Sequence, residues 1–399
     1  MKRVIAGVAF ALWMCPAPLV NVASAAATAD TAFLRQYAET NRFRMGEPRN
    51  FTITRDGRAV LFLRSGPRSF TQDLWSLDLA SGEERVLASA EQLLGGAAEL
   101  LTPEEKARRE RMRQTSRGIV GYELSKDDKR VLVPLAGRLF VIERSSGASR
   151  ELKSNAGPAE DPQLSPDGLK VACVRKGDLW VTHIDDDTEH RLTHHENDEV
   201  SYGAAEFVAQ EEMDRDHGYW WAFDSRRIAF QRTDTRNVGR MTIVDPAHPE
   251  KAPQSWAYPR PGQNNAVVTL WTCAWNGGTP AEVKWDHAAY PYLCSVRWDE
   301  ASPLTLVVMN RRQTELAVMR GAEGGGVARV LLSEKDAAWL NLDQSVPRWL
   351  EDGKVFLWSS ERSGDWQLEL RSMQGPLVNP ITTAQSRYRN LLHVDEHRG

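Results

Sequence analysis

Two glutamates stand side by side, Glu211 and Glu212, within the stretch Glu206-Phe-Val-Ala-Gln-Glu-Glu-Met-Asp-Arg-Asp-His-Gly-Tyr-Trp-Trp221. Asp214, Arg215 and Asp216 follow at once, and Tyr219, Trp220 and Trp221 lead into a strand-like run over 227–232. Adjacent carboxylates beside aromatic rings suit a cation such as an amine, because the anionic acceptors and the ring faces all favour positive charge. The competing reading is a solvated charged turn ahead of a buried aromatic strand, which is the common fate of a charge run. Read as a helix, the stretch offers only Phe207, Val208 and Met213 as a weak apolar stripe, too little for an ordinary core helix.

A second charged segment reads Thr102-Pro-Glu-Glu-Lys-Ala-Arg-Arg-Glu-Arg-Met-Arg-Gln114. Thr102 can cap a helix, with Pro103 at its first position and Glu105 three residues after the cap. The pattern predicts a short inserted helix over about 102–116, too polar to pack as core. His183, His190, His194 and His195, with Asp185 to Asp187 among them, raise the question of a metal, but their spacings fit no ligand signature and read as a polar loop. No metal and no cofactor is expected.

The chain has 399 residues, a formal net charge of −4 and no basic aromatic groove, so nucleic acid is not an expected partner. Lys2 and Arg3, the uncharged run from Val4 to Met14 and the small residues Ala23-Ser24-Ala25 have the form of a secretory leader, with cleavage expected after Ala25. The apolar run is too short for a comfortable membrane span, and no later stretch could cross a bilayer. An exported, periplasmic or secreted protein with no membrane attachment after cleavage is therefore expected. The cysteines past the leader are Cys173, Cys273 and Cys294. In an oxidising compartment they allow at most one bridge, Cys273–Cys294 being the pair open to it, while Cys173 reads as a core residue.

The elements that must position the acidic doublet repeat. A helix and a lead-in occupy 26–50. From residue 51 a turn-and-strand unit begins at Thr52-Ile-Thr-Arg-Asp-Gly-Arg-Ala-Val-Leu-Phe-Leu63, and it returns from Tyr122, Gln163, Trp221, Val296 and Trp349. Asp-Gly turns reverse the chain between short strands, and units of this length match blades of four antiparallel strands. A blade cannot bury both faces alone, so the pattern predicts an all-β fold, a β-propeller, rather than a sandwich of hairpins. The arginine-bearing helix and a Glu-Glu helix over about 204–217 interrupt the series. Interruptions of a regular scaffold are where function concentrates.

The sequence resembles the N-terminal β-propeller of the dipeptidyl peptidase IV family of serine exopeptidases, bacterial branch. The residues that carry the resemblance are Glu206-Phe-Val-Ala-Gln-Glu-Glu-Met-Asp-Arg with Gly218-Tyr-Trp-Trp221, and Tyr258-Pro-Arg-Pro-Gly-Gln-Asn-Asn265. The segment 101–122, Ala338-Trp-Leu-Asn-Leu342 and Ser359-Ser-Glu-Arg-Ser-Gly364 add to it, and Phe223 departs from the proline usual in the family's turn. The resemblance implies an eight-bladed type of propeller over 51–399, incomplete here. It implies that Glu211 and Glu212 hold the free amine of a peptide. It also implies that an arginine of the inserted helix, Arg111 ahead of Arg109 and Arg113, holds a substrate carbonyl. Family members follow the propeller with an α/β-hydrolase domain carrying a Gly-x-Ser-x-Gly serine, then Asp and His. That motif does not occur in this sequence, and no catalytic residue is assigned. The expected function is thus substrate recognition for a dipeptidyl aminopeptidase, inactive alone, with peptides and a separately encoded hydrolase domain as partners. A non-catalytic peptide- or protein-binding propeller and the remnant of a truncated gene are the alternatives.

Overall fold

The computed structural model describes residues 31–101, 105–106, 109–110, 113–298, 302–350 and 353–396. The expected leader, Thr102, Pro103 and Arg111 lie outside the described residues. The chain divides into two units, residues 1–44 and 45–399. In the first, helix α1 (Ala32–Glu39) carries Phe33 and Tyr37 on one side, where their rings meet Phe43.

The second unit is built around six mainly antiparallel sheets in sequence order, spanning 49–88, 123–152, 160–191, 200–284, 292–335 and 348–380. Four are four-stranded; Arg117–Gly118 adds a short parallel fifth strand to the first, a split strand and the parallel Gly326–Val327 bring the fourth to six, and Arg240–Ile243 pairs with Gln254–Ala257 as a separate ribbon. They are the blades expected from the repeat. The repeated turn has a physical cause that recurs atom for atom. The hydroxyls of Thr54, Ser125 and Ser165 each donate to the aspartate two residues on (Asp56, Asp127, Asp167) and each accept the N–H five residues on. The side chain thereby closes the turn and starts the second strand, as Ser, Thr and Asp do in Asx- and ST-type turns.

Five apolar clusters hold the unit together, and each spans two consecutive blades. Leu61 and Leu74 of the first blade meet Val133 and Ile142 of the second. Val174 and Leu179 of the third meet Tyr219 and Phe230 of the fourth, and Val307 and Leu316 of the fifth meet Trp349 and Phe356 of the sixth. Core burial therefore lies between blades rather than within them, which is why a single blade would not be stable. Among the described residues no helix is long and apolar enough to cross a membrane.

The cysteines settle as core residues. Cys173, Cys273 and Cys294 are all free and buried, so the Cys273–Cys294 bridge does not form. They sit in three different inter-blade clusters, and burial pushes their thiols up to about 11, about 12 and about 12. Within the histidine run, His195 is held by an aspartate. Asp178, buried at the start of its strand, accepts from the backbone N–H of His195 at 2.8 Å and from the Thr193 hydroxyl at 2.9 Å, and it meets His195 Nδ1 at 2.7 Å. No group of three metal-ligating side chains occurs among the described residues.

Candidate functional site

The innermost strand of the fourth blade is split, and the acidic doublet lies in the split. Val200–Tyr202 and Tyr219–Trp221 both pair antiparallel with Arg227–Asp234, Tyr202 opposite Arg232 and Tyr219 opposite Phe230. Only Gln231 lies between those partners. Its backbone closes both sides of the gap, accepting from Gly203 N at 2.9 Å and donating to Gly218 O at 2.8 Å. Residues 203–218 are thus extruded from one position of the ladder through a two-glycine neck. The neck requires Gly218, because a Cβ there would lie 2.4 Å from the Ala204 carbonyl carbon and 2.6 Å from Gly203.

Within the extruded segment, helix α2 (Phe207–Glu212) is short and ends on the doublet. Glu211 and Glu212 are both exposed. They occupy the carboxyl end of the helix, where the backbone carbonyls already make the potential negative, and no basic residue stands in that last turn. Neither carboxylate has a hydrogen-bond or ion-pair partner among the described residues. Two like charges on a negative helix end oppose local stability and attract a cation, and their exposure leaves both free to accept several N–H bonds from one ammonium. Phe207, one helical turn before Glu211, packs edge-on against Tyr258 with ring centroids 5.0 Å apart. The Tyr258–Asn265 stretch is anchored in turn, Asn265 donating to the Tyr292 hydroxyl at 3.1 Å.

The charges around the doublet do not behave alike. Asp214 and Asp216 face solvent, whereas Arg215 is only 5% exposed and Glu206 has only 7% of its side chain exposed. Arg215 donates from Nε to Leu293 O at 3.0 Å and from its two terminal nitrogens to His217 O at 2.7 Å and to Glu206 at 3.1 Å. Met213, part of the weak stripe seen in the sequence, is buried between the fifth and sixth blades with Val208 packed beside it. The sequence pattern assigned no structural role to Glu206, Arg215, Gly203, Gly218 or Gln231. Gln231 gave little signal of its own, because it follows the apolar run Ile228-Ala-Phe230 and is itself followed by the polar Arg232, Thr233 and Asp234.

The arginine-bearing insert lies between the first and second blades, and Glu105, Lys106, Arg109 and Glu110 are helical. Arg109 is buried and committed to internal pairs, to Glu105 at 2.8 Å and to Glu99 at 2.8 Å, while Glu99 also accepts from Gly118 N. Arg113 is exposed, with a left-handed backbone at φ 51°. Among the described residues no hydrogen bond or ion pair joins this insert to the acidic one.

Along the inner strands a cavity of about 230 Å³ is walled by residues that include Glu123, Gln163, Trp220, Trp221, Arg297 and Trp298. Burial pushes the Glu123 carboxyl up to about 7, against the opposing effect of the Leu164 N–H that it accepts at 2.7 Å. His217, last but one in the extruded segment, is raised by its hydrogen bond to Asp161, with burial acting the other way.

The family model described as the dipeptidyl peptidase IV (DPP IV) N-terminal region matches residues 124–399. Human dipeptidyl peptidase 8 is 28% identical over 193 residues, which are 42% of this chain and 22% of that protein. A probable dipeptidyl-aminopeptidase B of Phaeosphaeria nodorum is 25% identical over 145 residues, 33% of this chain and 16% of that protein. The chain thus aligns with about a fifth of the length of these curated relatives. The crystal structure of Porphyromonas gingivalis dipeptidyl peptidase 4 matches with a TM-score of 0.67 at 20% identity, covering 88% of this chain and 48% of that one, a likeness of fold. Sequence and blade architecture agree, and the chain belongs to the dipeptidyl peptidase IV N-terminal region family.

Proposed function

We propose that this chain is the substrate-recognition propeller of a dipeptidyl-aminopeptidase-type exopeptidase, in which Glu211 and Glu212 receive the free α-amino group of a peptide. The observation that carries this reading is the acidic doublet itself, exposed on a negative helix end and extruded from an inner strand. A single exposed carboxylate attracts any cation weakly, whereas two adjacent ones satisfy more than one N–H of the same ammonium. The doublet also acts as a ruler, since a chain continuing past the amine would run into the helix end. The substrate carbonyl falls to the arginine-bearing insert, where Arg111 and Arg113 are the candidates and Arg109 is occupied by Glu99 and Glu105. Peptide-bond cleavage is the work of a hydrolase domain with its own nucleophile and base. The leader over 1–25 directs the protein out of the cytoplasm.

Calorimetric titration with a short peptide, once with a free N-terminus and once N-acetylated, tests the reading. Binding of the free amine at least tenfold tighter, weakening with added salt, is expected. Equal affinity for the two peptides would contradict it. Release of anilide from a dipeptidyl anilide by this chain alone would contradict the assignment of cleavage to another domain.

A further inference from the structure

We infer that Glu206, Arg215 and Gln231 are positioning residues that lock the extruded segment into one shape before any ligand arrives. The inference rests on the amine-recognition reading and names what holds that site. Glu206 stands immediately before helix α2 and Arg215 shortly after it, so their ion pair closes the segment on itself at its two ends. The Glu206 carboxylate also accepts from Gln231 Nε2 at 2.6 Å. Gln231 is fully buried, and it is the residue whose backbone closes the neck. One side chain and its own peptide group therefore fix both the mouth of the segment and the acid at its entry.

The clasp is tied to two further blades. Arg215 Nε reaches Leu293 O on the inner strand of the fifth blade, and the guanidinium lies over Trp220 at 5.8 Å from the ring centre. Gln344, just ahead of the sixth blade, donates from Nε2 to Met213 O at 2.6 Å and to Cys294 O at 3.0 Å, and Arg297 binds its carbonyl. Met213 is the residue directly after the doublet. Hence both ends of the short helix are held, one by Glu206 and Gln231, the other by Arg215 and Gln344.

The physical need for such a clasp is specific. A helix this short is marginal by itself, and two like charges at its carboxyl end work against it. A planar guanidinium with donors in a fixed fork can serve three acceptors at once, which a lysine ammonium on a flexible stem does less well. Removing either member of the buried pair strands the other, so the two side chains act as one unit.

Hydrogen exchange of residues 207–213, read beside peptide affinity and the thermal midpoint, tests the clasp in Glu206→Gln, Arg215→Met, Arg215→Lys and the double variant Glu206→Gln/Arg215→Met. Faster exchange confined to 203–218 is expected in the first two, with Arg215→Lys closer to wild type. The free-amine peptide is expected to bind at least tenfold more weakly, and the double variant to lose no more than the worse single one. Unchanged exchange in 207–213 would overturn the inference, as would additive losses or exchange that rises equally in all blades. Glu206→Gln is nearly isosteric and keeps the test usable if Arg215→Met fails to fold. Exchange needs no ligand, so a wild-type protein that ignores the free amine defeats the functional reading while the clasp is still decided.

Discussion

The imidazole of His217 rests on the carboxylate of Asp161, Nδ1 to Oδ1 at 2.7 Å. The contact joins the end of the extruded segment to the inner strand of the preceding blade. The Tyr219 hydroxyl donates to the backbone carbonyl of the same Asp161, and Gln163 Nε2 lies 3.2 Å from His217 Nδ1. Glu123, one blade further back, feels both His217 and Asp161, together with Lys126.

This arrangement gives stability a pH dependence of definite sign. Glu123 has its folded pKa raised from 4.5 to about 7. Its contribution is fully present below 4.5 and is lost as pH rises through about 7. His217 is also raised, so its contribution is present below 6.5 and fades as pH climbs past the raised value. Asp234, lowered to about 2 beside Arg236, acts in the opposite sense, and its contribution is lost only as pH falls through about 2. Urea unfolding should therefore show stability falling between pH 5 and pH 8, by about 2 kcal/mol from Glu123. Glu123→Gln is expected to flatten most of that slope. An unchanged slope would place the titrating group elsewhere.

The neck glycine makes a second point of failure. In Gly218→Ala the new methyl would press on the Ala204 and Gly203 backbone, which cannot swing aside as a flexible side chain could. A loss on the order of 2–4 kcal/mol in urea unfolding is expected. Exchange at 203–218 should rise first. A neutral substitution would show that the neck opens at little cost.

The thiols give a simple check on packing. Cys173, Cys273 and Cys294 are buried and their thiolates are disfavoured. Native protein should resist thiol labelling at pH 8, all three cysteines should react after denaturation, and reductant should leave the thermal midpoint unchanged. A midpoint that drops with reductant would mean a disulfide after all.

The blades were legible in the sequence because their turn is made locally. Thr54, Ser125 and Ser165 each find their aspartate two residues away, so pattern and contact coincide. The acidic doublet was legible for the same reason, as neighbouring letters. The clasp was not. In the run Asp214-Arg215-Asp216 nothing local says that the arginine is buried and the aspartates solvated, because its acceptor Leu293 O is 78 positions away and belongs to another blade. The split strand was hidden too, since 204–217 reads as a helix that interrupts the blade series until Gln231 is seen pairing with both Gly203 and Gly218. Arg109 shows the reverse problem. It looks available on a polar helix, yet Glu99, ten residues earlier, has claimed it.

The most direct test replaces both carboxylates and nothing else. Glu211→Gln/Glu212→Gln keeps the side-chain shapes and removes the charge, and both positions are exposed, so the thermal midpoint should stay the same or rise slightly as repulsion at the helix end is relieved. Titrated calorimetrically with a free-amine tripeptide at low salt, this variant should bind at least tenfold more weakly than wild type, near the level of the N-acetylated peptide. A free-amine affinity equal to that of wild type, in a folded variant, would contradict the assignment of the acidic doublet as the amine site.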